Sequence, residues 1–312
     1  MSGVVLHVGF PKTGTTTLQK SVYPHLPGVL YVGKHIPSYG FSSRALGDAV
    51  HAVITADSAL SDPVPALATA IGEFRAKCAS DTLVISTESF AHPTARDFGL
   101  VASRLAAAVP DARILLTIRA QDALALSWYQ SHGRFAQYLF THKRESERIR
   151  ASLSQRAWWD LVNRAPTSGF LAMLDFDAIE ACYARLFGGR VTVLPMEWLQ
   201  RCDSRYASTL AEVLDADAVV CTQLLQGAHE NRGLSRREVF AGKALSLIGM
   251  KADFLEHRSH SAFRQFLAQG AAADHALLPA IARAIRGRVV DGNVRLATRV
   301  GIDLAAIGYA VA

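Results

Sequence analysis

The chain has 312 residues, half of them hydrophobic, and 33 Lys and Arg stand against 27 Asp and Glu for a formal net charge of +6. That is enough apolar material for a full core, while the scattered basic residues form neither the aromatic-interleaved stripe nor the reading motif of a nucleic-acid-binding protein, and suit a small anionic cofactor or substrate instead. Its four cysteines, Cys78, Cys182, Cys202 and Cys221, make neither a CxxC pair nor a dense framework, which argues against zinc and disulfides and for reduced, mostly buried thiols.

The N-terminal run through Val4-Val5-Leu6-His7-Val8 lacks a basic segment before it and stops at Gly9, so it reads as a strand and not as a signal peptide. No stretch reaches the ~18 uninterrupted apolar residues of a membrane span. The expected compartment is the cytoplasm. After this strand, Gly9-Phe10-Pro11-Lys12-Thr13-Gly14 leads into Thr15-Thr16-Thr17-Leu18-Gln19-Lys20, a strand, turn and helix. Further apolar runs follow at Val29–Val32, Thr82–Ser86, Arg113–Ile118 and Arg190–Leu194, each ahead of a helix-like segment. Strands alternating with helices predict an α/β fold whose central parallel sheet is flanked by helices.

Asp122 to Phe135 is patterned as a helix with Asp122 as N-cap, and Asp177 to Phe187 as a second, stopped by Gly188-Gly189. Between them the mixed-sign run Lys143 to Arg150 reads as a solvated helix face, or as an arm that helps seat an anionic acceptor. From about Ser235 the chain is rich in Ala, Leu and Arg and predicts a helical C-terminal part without catalytic motifs. With no repeat and no low-complexity linker, one domain is expected, with a core over about 3–235 and an extension over about 236–312.

The loop Gly9 to Thr16 carries the chemistry. A Gly-containing turn between strand and helix points successive backbone N–H groups at one spot, an anion site. Its two glycines match a Walker A loop, G-x-x-x-x-G-K-[ST], but Thr15 follows the second glycine and the lysine comes earlier, at Lys12. A lysine in the bend suits a shorter anion held close to the turn than the β- and γ-phosphates addressed by the Walker lysine.

Pro11-Lys12-Thr13-Gly14-Thr15-Thr16 resembles the 5′-phosphosulfate loop of sulfotransferases that use 3′-phosphoadenosine 5′-phosphosulfate (PAPS), whose pattern is Pro-Lys-[Ser/Thr]-Gly-Thr-[Ser/Thr]. The resemblance implies a P-loop-NTPase-like three-layer fold. It also implies that the amides of Thr13 to Thr16 and the hydroxyls of Thr15 and Thr16 hold the 5′-phosphate, with Lys12 against the bridging oxygen and the sulfuryl group. Arg119 at a strand end and Ser127 eight residues on match the pair that binds the 3′-phosphate in that family. Val191 to Leu199 is similar to the family's middle strand and acidic-apolar turn, where Glu197 is read as structural. Asn231-Arg232-Gly233-Leu234-Ser235 looks like the late polar loop of bacterial members, and Arg232 there adds to the 3′-phosphate grip or is a surface arginine. The Arg-Lys-Gly-x-x-Gly-Asp-Trp-Lys element of the animal cytosolic enzymes has no counterpart.

Sulfuryl transfer needs a base for the acceptor proton. Glu88, after the strand Thr82–Ser86, stands where the crevice of a parallel sheet opens, and a glutamate there serves as base in the glycan-modifying branch of the family. His35 competes for the role, since the animal cytosolic enzymes use a histidine; His92 is a weaker candidate, and His7 reads as a satisfied core histidine. His257 and His260 lack a further ligand at metal-site spacing, so no metal is expected. The implied co-substrate is PAPS, its product 3′-phosphoadenosine 5′-phosphate (PAP), and the acceptor a glycan, lipid or small molecule. A P-loop kinase using ATP, or a non-catalytic module that binds PAPS or PAP, are the alternatives.

Overall fold

The computed structural model describes residues 3–33, 44–56, 62–77, 81–91, 98–131, 153–164, 169–227, 237, 240–241 and 276–312. The chain divides into two compact units, Met1–Ala120 with Asp175–Glu230 and Val290–Ala312, and Gln121–Leu174 with Asn231–Val289.

The first unit holds five strands, β1 (Val4–Gly9), β2 (Val29–Val32), β3 (Thr82–Ser86), β4 (Arg113–Ile118) and β5 (Val191–Pro195), all parallel in the order β2-β3-β1-β4-β5. Continuous apolar runs suit strands covered on both faces, and β1 and β3 are buried throughout. Every strand lies within one residue of its predicted bounds, since most of the run ends are marked by Gly, Pro or polar residues. The chain leaves β1 toward β2 on one side of the sheet and leaves β4 toward β5 on the other. β1 and β4 are neighbours, so their carboxyl ends flank the switch point where open α/β sheets bind ligands.

Helices flank this sheet. After β1, a first turn α1 (Thr15–Thr17) runs directly into a π-helical segment Leu18–Val22 and a 3-10 turn Tyr23–His25. Then come α2 (Arg44–Thr55), α3 (Val64–Lys77) and α4 (Phe98–Ala108), the last ahead of β4. The second unit, taken by itself, holds α5 (Gln121–Ser131), α6 (Gln155–Arg164) and α7 (Gly169–Met173). They share an aromatic core in which Trp158 meets Tyr129 and Phe170 at ring separations of 5.5 and 5.3 Å. Helix α5 starts one residue earlier than the sequence suggests. Asp122 therefore lies in its first turn instead of capping it, and pairs with Arg286 at 2.7 Å.

Back in the first unit, α8 (Phe176–Leu186) is capped by the Asp175 carboxylate, which accepts from the Ala178 amide at 3.1 Å. Asp177, the predicted start, instead receives Arg295 at 2.7 Å and Arg299 at 2.6 Å. The helix ends at Leu186, one residue before the predicted Phe187, ahead of Gly188 and Gly189 at φ 60° and 77°. Short helices α9 (Met196–Gln200), α10 (Ser204–Leu214) and α11 (Ala218–Gly227) follow β5, and α12 (Pro279–Val300) confirms a helical C-terminal part. Arg299 also bonds Glu180, so two buried carboxylates on α8 fix the end of α12 and the tail after it. Cys182, Cys202 and Cys221 are free thiols; Cys221 is buried but Cys202 is on the surface, because it ends α9 in a left-handed turn. Among the described residues, no helix is long and apolar enough to cross a membrane.

Candidate functional site

Three central strands end at one edge of the sheet, and each delivers part of the site: the loop Phe10 to Gly14 from β1, Thr87 and Glu88 from β3, and Arg119 from β4. The loop folds tightly. Thr13 donates its amide and its hydroxyl to the Phe10 carbonyl, at 3.3 and 2.6 Å, and the Leu18 amide closes the helix onto the Gly14 carbonyl at 3.2 Å. Phe10 packs on Phe176 with ring centroids 4.9 Å apart, which anchors the start of the bend to α8.

Lys12 and Gly14 both adopt left-handed backbone, at φ 71° and 85°, on either side of Thr13. Alternation of this kind turns successive N–H groups toward one concavity. No side chain caps α1, and the first amides of a helix have no carbonyl within it, so the Thr15 to Thr17 N–H groups face the same place as the positive end of the helix. The residues therefore fit a small anion. Pro11, Thr13, Gly14 and Thr15 are buried, whereas Lys12 and Thr16 are half-exposed at the mouth.

The Thr15 hydroxyl donates to Glu88 Oε1 at 2.6 Å. Glu88 begins a 3-10 turn, Glu88–Phe90, capped by the Thr87 hydroxyl, and Tyr183 of α8 donates to the Phe90 carbonyl at 3.0 Å. The predicted base thus touches the predicted phosphate loop and sits on a turn held from two sides. Arg119 donates to the Lys12 carbonyl at 3.2 Å, which brings the two predicted cationic groups to one loop.

Behind Arg119, Glu197 is buried, as expected of a structural residue. Its Oε1 accepts from the Ala120 amide at 2.8 Å and its Oε2 from the Tyr309 hydroxyl at 2.9 Å. Burial raises the Glu197 pKa above the ordinary glutamate range, against the two hydrogen bonds and the Arg119 charge, which favour the anion. The tail from α12 therefore reaches the residue that follows Arg119.

Sequence reasoning did not find the polar layer beneath the loop. His7, Ser86 and Thr117 lie on three adjacent strands. His7 Nδ1 is 2.7 Å from Ser86 Oγ and Nε2 is 3.2 Å from Thr117 Oγ1, while Thr117 Oγ1 is 2.8 Å from Thr13 Oγ1 and Gln19 donates to Ser86 Oγ at 2.9 Å. Burial pushes the His7 pKa down to about 3, with the charge of Glu88 pulling the other way. The signal in the sequence was a polar residue near the carboxyl end of each of three apolar strands.

Ser127 lies half-exposed on α5, in the second unit. His35, His92, Arg232, the run Lys143 to Arg150, the loop Asn231 to Ser235 and the pair His257 and His260 lie outside the described residues. Among the described residues no group of three or more His, Cys, Asp or Glu is placed to hold a metal ion.

No protein-family profile matches the chain, and no curated protein matches it. Among solved structures, the chain is similar to a sulfotransferase from Alicyclobacillus acidocaldarius, with 16% identity and a TM-score of 0.44, covering 85% of this chain and 99% of that one.

Proposed function

We propose that this chain is a sulfotransferase that moves the sulfuryl group of PAPS to a hydroxyl or amine of a saccharide, glycolipid or small metabolite, acting as one catalytic domain. The observation that carries the reading is the joining of Lys12, Thr15, Glu88 and Arg119 at one edge of the sheet, around a turn whose amides suit a phosphate. Lysine in the bend and threonine after Gly14 favour this donor over a nucleoside triphosphate.

In this reading the loop amides and the Thr16 hydroxyl bind the 5′-phosphate, joined by the Thr15 hydroxyl as it turns from Glu88 to the phosphate, and Arg119, joined by Ser127 and Arg232, takes the 3′-phosphate. The acceptor oxygen or nitrogen attacks sulfur in line while the bond from sulfur to the bridging oxygen breaks. The acceptor proton passes to Glu88 or His35, and Lys12 stabilises the charge that gathers on the departing phosphate. Because Lys12 and Arg119 supply positive charge, the step calls for no metal, and chelation leaves turnover unchanged.

The test is release of PAP from PAPS across a panel of saccharide, amine and phenol acceptors. Glu88→Gln keeps an oxygen to accept from Thr15, so the nucleotide binds within about threefold of wild type. Turnover falls about 10²- to 10⁴-fold, the usual contribution of a general base. Full turnover in that variant would remove Glu88 from the role and leave His35; absence of turnover with every acceptor, despite nucleotide binding, would favour a binding module.

A further inference from the structure

Five buried side chains beneath the phosphate loop form one continuous chain of hydrogen bonds, and counting protons fixes its direction. Thr13 has a single hydroxyl proton, which goes to the Phe10 carbonyl, an acceptor only. Between Thr13 and Thr117 the proton must therefore come from Thr117. With that proton committed, Thr117 receives from His7, so Nε2 carries hydrogen, and in the neutral ring Nδ1 is then the bare nitrogen. Ser86 then donates to Nδ1 and takes its own bond from the Gln19 amide. The run is Gln19 to Ser86 to His7 to Thr117 to Thr13 to the Phe10 carbonyl, with every donor used once.

We infer that His7, locked as the neutral Nε2–H tautomer, is a positioning residue that holds the anion-binding loop in its binding geometry through Thr117 and Thr13. A second proton on His7 would put a charge on a fully buried ring and, with Ser86 accepting from both Nδ1 and Gln19, deprive the Ser86 hydroxyl hydrogen of its acceptor. The titratable groups that face the ring are Tyr23, edge-on at 5.6 Å, and Glu88, whose charge acts on it. All five side chains are at most 5% exposed, so water does not replace a lost link. The spacing of the chain matches the tightness of the bend: it ends on the carbonyl that the Thr13 amide also uses, so one side chain and one amide pin the turn that presents the next amides.

The inference about the loop rests on the proposed nucleotide site, but the tautomer does not, and the experiment separates them. Imidazole nitrogen spectra of the full wild-type chain are expected to show one histidine with hydrogen on Nε2 alone, unchanged from pH 5 to 8. Assignment comes from its loss in His7→Phe, or, if that variant does not fold, from through-bond correlation to the His7 backbone. In parallel, Thr117→Val, which keeps the shape and removes the hydroxyl, binds PAP at least tenfold more weakly at a temperature well below its unfolding. Thr117→Ser restores the affinity to within about twofold. A merely structural role would lower the unfolding midpoint of Thr117→Val and leave its affinity alone. An Nδ1–H or titrating His7 overturns the proton order, and wild-type affinity in a folded Thr117→Val overturns the positioning role. If wild type itself fails to bind PAP, the nucleotide reading fails and the tautomer measurement still decides the chain.

Discussion

Gly9→Ala is expected to weaken PAP binding at least a hundredfold and to lower the stability of the fold. A Cβ on residue 9 would stand 2.3 Å from Thr15 Cγ2 and 2.9 Å from both His7 Nε2 and Thr117 Oγ1. None of these is the far end of a flexible side chain. Thr15 is β-branched and sits in the first turn of α1, while His7 and Thr117 are fixed on central strands. The methyl group therefore has to move the helix start or part the hydrogen bond between His7 and Thr117. Overpacking of this kind costs about 1–3 kcal/mol, and each buried polar group left without its partner adds about 1–3 kcal/mol. Chemical denaturation and calorimetric titration of the same preparation check both effects. Gly72→Ala is the control: its Cβ meets nothing within 4 Å on an exposed face of α3, so it is neutral or stabilises by up to about 1 kcal/mol.

Lys12→Gly is expected to slow chemistry about 10²- to 10³-fold while leaving stability unchanged or slightly higher. Lys12 holds a left-handed backbone at φ 71°, a conformation that costs a residue with a side chain about 1 kcal/mol or more and costs glycine nothing. A lysine at such a position is disfavoured by local structure, which points to a use for its ammonium group. In the proposed reaction this ammonium stabilises charge on the departing phosphate, so its removal lowers turnover about 10²- to 10³-fold, as when one preorganised transition-state donor is deleted. Single-turnover release of PAP reads the loss, and a thermal unfolding midpoint reads the stability. A variant that is both slower and clearly less stable would contradict this account of Lys12.

Much of the fold was legible because parallel strands buried on both faces must be nearly all apolar, and the five runs from Val4 to Pro195 are short and sharply bounded. Helix starts were less so. Asp122 and Asp177 both resemble N-caps, but a carboxylate in the first turn serves an arginine from α12 equally well, and such partners are set by tertiary structure. The loop Pro11 to Thr16, Glu88 and Arg119 stand out as candidates because glycine, lysine and a strand-end charge carry a local signal. The chain through His7, and the bond from Tyr309 to Glu197, join residues whose meeting depends on strand order and on where the tail returns, and no local pattern encodes either. Gly9 shows the same limit: its need for a bare Cα comes from Thr15, His7 and Thr117 together, not from its own φ.

Calorimetric titration with PAP beside magnesium-ATP, in wild type and in Arg119→Ala, is the most direct measurement. Arg119 follows the end of β4 and bonds the Lys12 carbonyl, and a charge-assisted bond from it to a 3′-phosphate, as proposed, contributes about 1.5–3 kcal/mol. The account predicts that wild type prefers PAP over magnesium-ATP and that Arg119→Ala loses about tenfold to a hundredfold in PAP affinity. Preference for magnesium-ATP, or PAP affinity untouched by the Arg119 substitution, would contradict it and favour the kinase.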